Sequence, residues 1–333
     1  NGGGVSVFAD GVVNAGSRDF TTSDSNARGI FTVDQSDVTV IARGDINVNG
    51  SRIAAYDGGN VTVRSLEGDV DAGTGSGGAA TVEKIYVDPV TRQVLTYAPT
   101  IPGSGILATT FPPSLDPRFP RSVNTVGDIL VETPQGNIIA SAGGILQIPL
   151  NGVGNSSGTV TLRAGTKDLS GNVIYLGNID ASGSGVIGGS VDLEASGDIT
   201  GLVFARDNLN ISAIQNVNVT ALAVGNANVG AGGNVSGTII GVGSVSASGA
   251  NVDAALLSQN VNASGNVSSS QIGFSQGTAA SAASQGLQNN ELSKTLASAG
   301  GDNEEADTKK KRSAPRLAST TGRVTVILPS KGN

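Results

Sequence analysis

The stretch that decides the fold is "GGNVTVRSLEGDVDAG", residues 58–73. It sets Gly-Asn-Val and Gly-Asp-Val on either side of a run in which apolar and polar residues alternate. Alternation at period two predicts short β-strands, and Gly, Asn and Asp favour turns between them. Related phrases return along the chain, at 44–50, 127–132, 136–141, 177–183, 197–201, 232–237 and 265–270.

The spacing of these phrases can be measured where they are most regular. The apolar residues that follow the turns are Ile199, Val217, Val235, Val252 and Val267, at steps of 18, 18, 17 and 15 residues. A period of this size built only from strands predicts a solenoid, in which stacked coils pair their strands in parallel. At roughly 18 residues a coil and about 4.8 Å between strands, the repeat predicts about twelve coils and a rod about 60 Å long.

The repeat divides the chain into five segments. Coils are predicted over 1–78 and 127–274. Between them, 79–126 is predicted to be an insertion loop, because it holds seven of the 11 prolines and four of the 11 aromatic residues. Residues 275–321 are predicted to be a low-complexity linker with a candidate short helix, and 322–333 a C-terminal strand. The predicted fold is all-β, a parallel β-helix with an insertion and a C-terminal extension ending in a strand.

The composition excludes several kinds of chemistry. The 333 residues include 49 Gly but no His, Cys, Met or Trp. Common zinc sites, Ser-His-Asp catalysis and Cys-His catalysis are therefore excluded. A net charge of −7 argues against nucleic acid as the main partner. No apolar stretch is long enough to span a membrane, and no cofactor is predicted.

Aspartates recur in the turn phrases and allow three interpretations. Carboxylates on one face of a β-helix serve in polysaccharide cleavage, calcium-binding repeats need Asp at a fixed place, and turns accept either Asp or Asn. Asn takes equivalent positions at 60, 137 and 234. That exchange favours turns, so we predict no catalytic residue, no metal site and no enzymatic activity. The aspartates concerned are Asp45, Asp69, Asp128, Asp180, Asp192 and Asp198.

Two of these stretches resemble a known family. Residues 44–75, "GDINVNGSRIAAYDGGNVTVRSLEGDVDAGTG", and 188–201, "GGSVDLEASGDITG", are similar to the β-helical exoproteins of the filamentous haemagglutinin type. Gram-negative bacteria secrete these proteins by the two-partner route. The resemblance implies a right-handed β-helix, an extracellular location at the cell surface, and an adhesive or structural role. The family's secretion domain with its Asn-Pro-Asn-Leu motif is missing from this sequence, so the secretion route is implied by the resemblance alone. No signal peptide is visible and Asn1 already lies in the repeat pattern, so we expect a piece of a longer precursor.

The insertion supplies the candidate recognition residues. Insertions in solenoids form loops on one face, and aromatic residues and Arg commonly anchor interfaces. The alternative is a Pro-stiffened loop whose aromatic residues only cover the side of the solenoid. The candidate residues are Tyr86, Arg92, Tyr97, Phe111, Arg118, Phe119 and Arg121.

The two ends supply candidate subunit contacts. The sequence starts directly in a strand pattern, and the C-terminal strand follows a linker without a partner of its own. We therefore expect contacts at Val5, Val7, Phe8, Val324, Val326 and Leu328. They predict a fibre subunit that joins copies of itself head to tail, with the last strand added to a neighbour. Two alternatives are a carbohydrate-binding or polysaccharide-cleaving β-helix that uses the insertion, with a host or surface glycan as partner, and a passive stalk of a larger adhesin.

Overall fold

The structure is a computed structural model that describes residues 3–16, 29–74, 80–101, 103–112, 114, 116–119, 125–150, 158–268 and 271–273. The predicted linker 275–321 and terminal strand 322–333 lie outside these residues. Strands are the regular elements here. The first are β1 (Val5–Ala9), β2 (Val13–Asn14), β3 (Ile30–Val33), β4 (Val38–Ala42), β5 (Ile46–Asn47), β6 (Arg52–Tyr56), β7 (Val61–Ser65), β8 (Val70–Asp71), β9 (Ala80–Thr81), β10 (Lys84–Val87), β11 (Val94–Tyr97), β12 (Thr100–Ile101), β13 (Gly105–Thr109), β14 (Ile129–Thr133), β15 (Ile138–Ile139) and β16 (Gly144–Ile148).

The chain continues in the same way to the end of the described residues. These strands are β17 (Thr159–Ala164), β18 (Thr166–Lys167), β19 (Val173–Tyr175), β20 (Ile179–Gly188), β21 (Ser190–Ala195), β22 (Ile199–Ala205), β23 (Leu209–Ala213), β24 (Val217–Ala223), β25 (Ala227–Ala231), β26 (Asn234–Gly241), β27 (Ser244–Ser258), β28 (Asn260–Val267) and β29 (Gln271–Gly273). Twenty-three of them join one continuous sheet, in which each pairing is parallel.

The sheet winds into coils with three faces, which confirms the predicted parallel β-helix. The first face runs through β1, β4, β7, β14, β17, β21, β23, β25 and the starts of β27 and β28. The second face begins with β2, β5, β8 and β15. The third begins with β3, β6, β13 and β16. From β20 onward a single long strand bends from the second face into the third.

The strand register confirms the predicted repeat residue by residue. Ile199 pairs with Val217, Val217 with Val235, Val235 with Val252, and Val252 with Val267. The described residues hold ten coils rather than about twelve, because the early coils are longer. One of them runs from Val38 to its partner Val61. Ten coils span about 43 Å at the usual strand spacing.

The interior is a column of small and β-branched side chains. On the first face, one buried stack contains Val38, Val61, Ile129, Val160, Val191, Leu209, Ala227 and Val245. Alternate residues face inward because successive side chains of a strand point to opposite sides. Each coil therefore buries its apolar residues against the coils above and below, as the sequence pattern requires.

The turn phrases form a ladder of side-chain hydrogen bonds along one corner. Each rung of this ladder is the Asp or Asn residue of one turn phrase. Along most of the ladder, the backbone N–H of a rung donates a hydrogen bond to the side-chain oxygen of the rung before it, and Asn side chains donate a second one. This confirms the turn interpretation for most of the aspartates, whereas Asp180 and Asp192 lie within β20 and β21. The rungs are Asp45, Asp69, Asn137, Asn178, Asp198, Asn216, Asn234, Asn251 and Asn266.

A second corner carries a similar but shorter ladder. Asn60 donates its backbone N–H to Asp37, Asp128 donates to Asn60, and Thr159 donates to Asp128. Asp37, Asn60 and Asp128 directly precede strands of the first face, and Thr159 begins one. The same chemistry therefore positions the start of the strand at two of the three corners.

Asn216 provides a test of the ladder. Its N–H and Nδ2 both donate to Asp198 Oδ1 at 2.9 Å, and its Oδ1 accepts two hydrogen bonds from Asn234 at 3.0 Å. Asn216→Ala is expected to lower the free energy of unfolding by about 1–2 kcal/mol, because it removes three side-chain hydrogen bonds that join three coils. Urea unfolding measures this change. The control is Asn210→Ala in β23, where the exposed Asn210 side chain accepts one hydrogen bond from Asn228. An equal loss of stability in this control would contradict the prediction.

Candidate functional site

The structure divides the predicted insertion. The described residues of 80–119 other than β13 form a layer, here called the cover, with two antiparallel pairs, β10 with β11 and β9 with β12. β13, in contrast, is a strand of the third face, paired with β6 and β16. Residues 105–109 lie inside the segment that was predicted to be a loop. The prediction missed this strand because it is buried on both sides and its sequence shows no alternation of apolar and polar residues.

The cover lies over the third face and builds a second hydrophobic core outside the coils. β6, β13 and β16 are consequently buried on both sides. The cover contributes three of the second core's residues and the solenoid the rest. The members are Ala54, Tyr56, Val82, Ile101, Leu107, Phe111, Leu146, Ile148 and Ile187.

The structure brings four predicted recognition residues together as one aromatic cluster. Tyr97 contacts Phe119 and Phe111, with ring centroids 5.3 and 6.2 Å apart, and Tyr86 contacts Phe119 at 5.8 Å. Phe111 is 1% exposed and Phe119 6%. The Tyr97 hydroxyl donates to the backbone oxygen of Pro112 at 2.5 Å. This packing favours the interpretation in which the aromatic residues attach the cover to the solenoid.

The two predicted arginines that the structure describes, Arg92 and Arg118, are exposed. Arg118 is exposed and forms a two-pronged contact with Asp116, through Nε at 3.0 Å and Nη2 at 2.7 Å. The hydrogen bonds from Arg118 lower the pKa of Asp116 to about 2. Arg92 lies exposed in the turn between β10 and β11, with φ at 59°. Arg121 lies outside the described residues. Glycan recognition by the insertion therefore stays a prediction.

One lysine fastens the cover to two coils. Lys84 Nζ lies 2.5 Å from Asp57 Oδ2 and 2.9 Å from Asp34 Oδ1. Asp57 is 1% exposed and Lys84 9%. Burial lowers the pKa of Lys84, but the hydrogen bonds to Asp57 and Asp34 outweigh that effect and raise it overall. The two aspartates follow paired strands, β3 and β6, so the lysine bridges neighbouring coils.

The candidate contacts at the first coil differ from one another in exposure. Val5 and Val7 are half-buried and alternate with exposed Ser6 and Phe8. Phe8 is 71% exposed and pairs in register with Ile41, so its side chain lies on the outer surface. The other three predicted contacts, Val324, Val326 and Leu328, lie outside the described residues.

A second hairpin carries an apolar surface that the sequence did not indicate. β18 and β19 pair antiparallel and leave the solenoid between β17 and β20. Their loop, β19 itself and the residue after it expose large apolar side chains, and such a patch often marks a contact surface. The exposed residues are Leu169, Val173, Ile174, Tyr175 and Leu176.

Sequence reasoning missed the polar residues of the third face. Arg52 and Tyr56 begin and end β6, where both are fully buried beneath the cover. The available signal was the run "RIAAY", because a strand with no small polar residue on its outer side is typical of a strand covered on both faces. The partners of Lys84 gave no local signal, since Asp57 lies 27 residues away in sequence.

Because Tyr56 is buried, we expect the folded protein to lose stability at high pH. Burial raises the pKa of its phenol to about 12, against the opposing charge of Arg52. In the unfolded chain the phenol of Tyr56 deprotonates near pH 10. The stability that neutral Tyr56 contributes is therefore fully present below pH 10 and is lost as the pH rises toward 12, which lowers the free energy of unfolding by about 2–3 kcal/mol in all. Urea unfolding between pH 8 and 11.5 measures the slope. Tyr56→Phe is expected to flatten it, and an unchanged slope would contradict the assignment.

Neither a metal-binding cluster nor a membrane-spanning helix is present among the described residues. No group of three or more His, Cys, Asp or Glu side chains is arranged there to hold a metal ion. No helix in that part of the chain has the length and apolarity that crossing a membrane requires.

The fold defines the chain as a β-solenoid protein of the parallel β-helix class. Comparison with protein-family models, with curated proteins and with solved structures found no match.

Proposed function

We propose that this chain is a structural and adhesive β-solenoid of an extracellular bacterial surface fibre, whose copies join head to tail. The proposed role requires rigidity and contact surfaces rather than catalysis. The location and the adhesive role follow the resemblance to the filamentous haemagglutinin type. The head-to-tail contact is supported by the backbone geometry at the first and last described coils.

The observation that carries the proposal is the one-sided pairing of the end coils. β1 donates Val5 N–H to Asp37 O at 3.0 Å and accepts at Ala9 O from Arg43 N–H at 3.0 Å. In a parallel ladder, neighbouring residues direct their backbone groups to opposite sides. The N–H groups of Ser6 and Phe8 therefore point away from β4, toward a side with no strand among the described residues. Such an edge is a template for another strand.

The last described coil offers a matching edge. β28 pairs with β27 only, among the strands described, and Val261 and Ala263 are partly buried against the core. Val7 and Ala9 pack in the same partial way at the first coil. Stacking one edge on the other would bury these four side chains and continue the ladder. A contact between two different surfaces of identical subunits produces open fibres.

Ser6→Pro tests the head-to-tail contact without removing an internal bond. Proline lacks the N–H that points to the free edge, whereas Val5 keeps its bond to Asp37. In negative-stain electron microscopy we expect fibres from the unchanged chain and from the control Ser6→Ala, but short rods from Ser6→Pro. Short rods from the unchanged chain at every concentration, or fibres from Ser6→Pro, would contradict the proposal.

A chain that ends at residue 316 tests the predicted contribution of the terminal strand. If Val324, Val326 and Leu328 add a strand to a neighbour, this truncation is expected to shorten or abolish the fibres. Fibres of unchanged length would show that the C-terminal strand does not join the subunits, and the proposed contact would then consist of the stacked end coils alone.

A further inference from the structure

The outer surface of the third face carries an apolar row that continues from coil to coil, here called the outer row. Its neighbours in sequence, such as Val203 and Ala205, belong to the inner core. Because strand side chains alternate, the residue between them points outward. The members of the outer row, in register, are Phe31, Ala54, Leu107, Leu146, Ile187, Phe204, Leu222, Ile240 and Leu257.

The second core covers only the first part of this row. The members from Phe31 to Ile187 belong to that core or pack against it, and Phe204 is the last to do so. Leu222, Ile240 and Leu257 belong to neither core that the described residues form, and each is partly exposed. The apolar row therefore continues for three coils beyond the second core.

The same coils are polar on their first face. The outward residues there include Asn210, Ser212, Asn228, Ser246 and Ser248. On the third face, by contrast, the row beside the outer row also carries no charge and consists of Leu202, Thr220, Thr238 and Ala255. An apolar surface of this kind, confined to one face and continuous with a covered one, commonly marks a contact surface.

The described chain leaves the solenoid beside this surface. β29 pairs with the last residues of β27, on the third face, so Gly273 lies one coil beyond Leu257. Residues 274–333 continue from that point. The segment that follows is therefore tethered next to the uncovered part of the outer row, and a short tether gives an effective concentration in the millimolar range.

The segment 290–300, "NELSKTLASAG", has the apolar residues and the length that this surface requires. It lies outside the described residues, and its sequence predicts a short helix with Leu292 and Leu296 on one side. Eleven helical residues extend about 16 Å, and the row from Phe204 to Leu257 extends about 14 Å. The 16 residues from 274 to 289 reach about 20 Å as a flexible chain, which is enough to return the segment over the row.

We propose that residues 290–300 dock as a helix on the outer row between Phe204 and Leu257. Leu292 and Leu296 lie against Leu222 and Ile240, because a helix with one apolar stripe must bury that stripe against another element. The docked helix extends the layer that the cover begins. This contact is independent of the head-to-tail contact, which uses the two ends of the solenoid.

A single introduced thiol tests the docking, because the chain has no cysteine of its own. Leu296→Cys places the thiol on the docked side of the helix, and Lys294→Cys places it on the opposite side. Each rate of reaction with iodoacetamide is divided by the rate for the same variant in urea. We expect the thiol at 296 to react about tenfold more slowly than the thiol at 294.

A charge on the outer row should release the helix. Ile240→Asp, added to Leu296→Cys, is expected to restore the fast reaction, because docking would then bury a carboxylate against apolar side chains. Ser248→Asp places the same charge on the exposed first face of the next coil and should leave the reaction slow. Where Ile240→Asp does not fold, Ile240→Thr takes its place, since threonine suits an exposed position in a strand. Leu292→Asp should also restore the fast reaction without any change to the coils.

Three results would overturn the proposal. Equal rates at 294 and 296 would show that the segment does not dock. A slow reaction at 296 that persists with the substitutions at Ile240 would place the segment away from the outer row. A slow reaction that appears only as the protein concentration rises would assign the row to a second copy of the chain, since docking within one chain does not depend on concentration.

Discussion

Replacement of Lys84 by methionine is expected to lower the free energy of unfolding by about 3–5 kcal/mol. The ammonium group lies 2.5 Å from Asp57 and 2.9 Å from Asp34. Removing it takes the ammonium group away from the carboxylate of Asp57, which is 1% exposed beneath the cover. Urea unfolding followed by circular dichroism measures the loss, and limited proteolysis of the cover shows whether it detaches first.

A second substitution distinguishes the missing charge from lost packing. Lys84→Met combined with Asp57→Asn removes both charges, so we expect this double variant to regain part of the stability lost in Lys84→Met alone. The control is Lys167→Met. Lys167 pairs with Glu194 at 2.6 Å, but both side chains are nearly half exposed, and such pairs contribute about 0–1 kcal/mol. An equal loss in the two lysine variants would show that Lys84 does not fasten the cover.

The coils could be predicted from the sequence because their determinants are local and periodic. The series from Ile199 to Val267 reports the strand register directly, since each turn phrase is followed by the strand that pairs with the next one. Asp and Asn exchange at the corners because both offer an oxygen to the backbone N–H of the next coil. Repetition makes such a signal visible in one sequence.

The cover could not be predicted in the same way because its contacts are not periodic. Phe111 packs against Tyr56 from a distant part of the chain, and Lys84 bridges two carboxylates that no motif connects to it. β13 was hidden because Leu107 replaces the polar residue expected on the outer side of a strand. Where the solenoid is covered, the alternating pattern disappears and sequence reasoning loses the register.

Gly201→Ala is expected to destabilise the solenoid by about 3–5 kcal/mol, because the substitution meets two independent obstacles. Gly201 has φ at +108°, a conformation that L-residues rarely adopt. A Cβ atom there would also lie 2.1 Å from the backbone carbon of Ala181 on the preceding coil. The clash is with main chain in a continuous ladder, so no side-chain rotation can relieve it.

Two control glycines separate the strain of the positive φ angle from the clash of the added Cβ atom. Gly171 has φ at +87° but open space around its Cβ position, so Gly171→Ala should show only the backbone strain, about 1–2 kcal/mol. Gly11 has open space and no positive φ, and Gly11→Ala should change the unfolding free energy by less than about 0.5 kcal/mol. Urea midpoints for the three variants provide the comparison. If Gly201→Ala costs no more than Gly171→Ala, the coils are free to separate locally, and the tight stacking proposed to give the fibre its rigidity is absent.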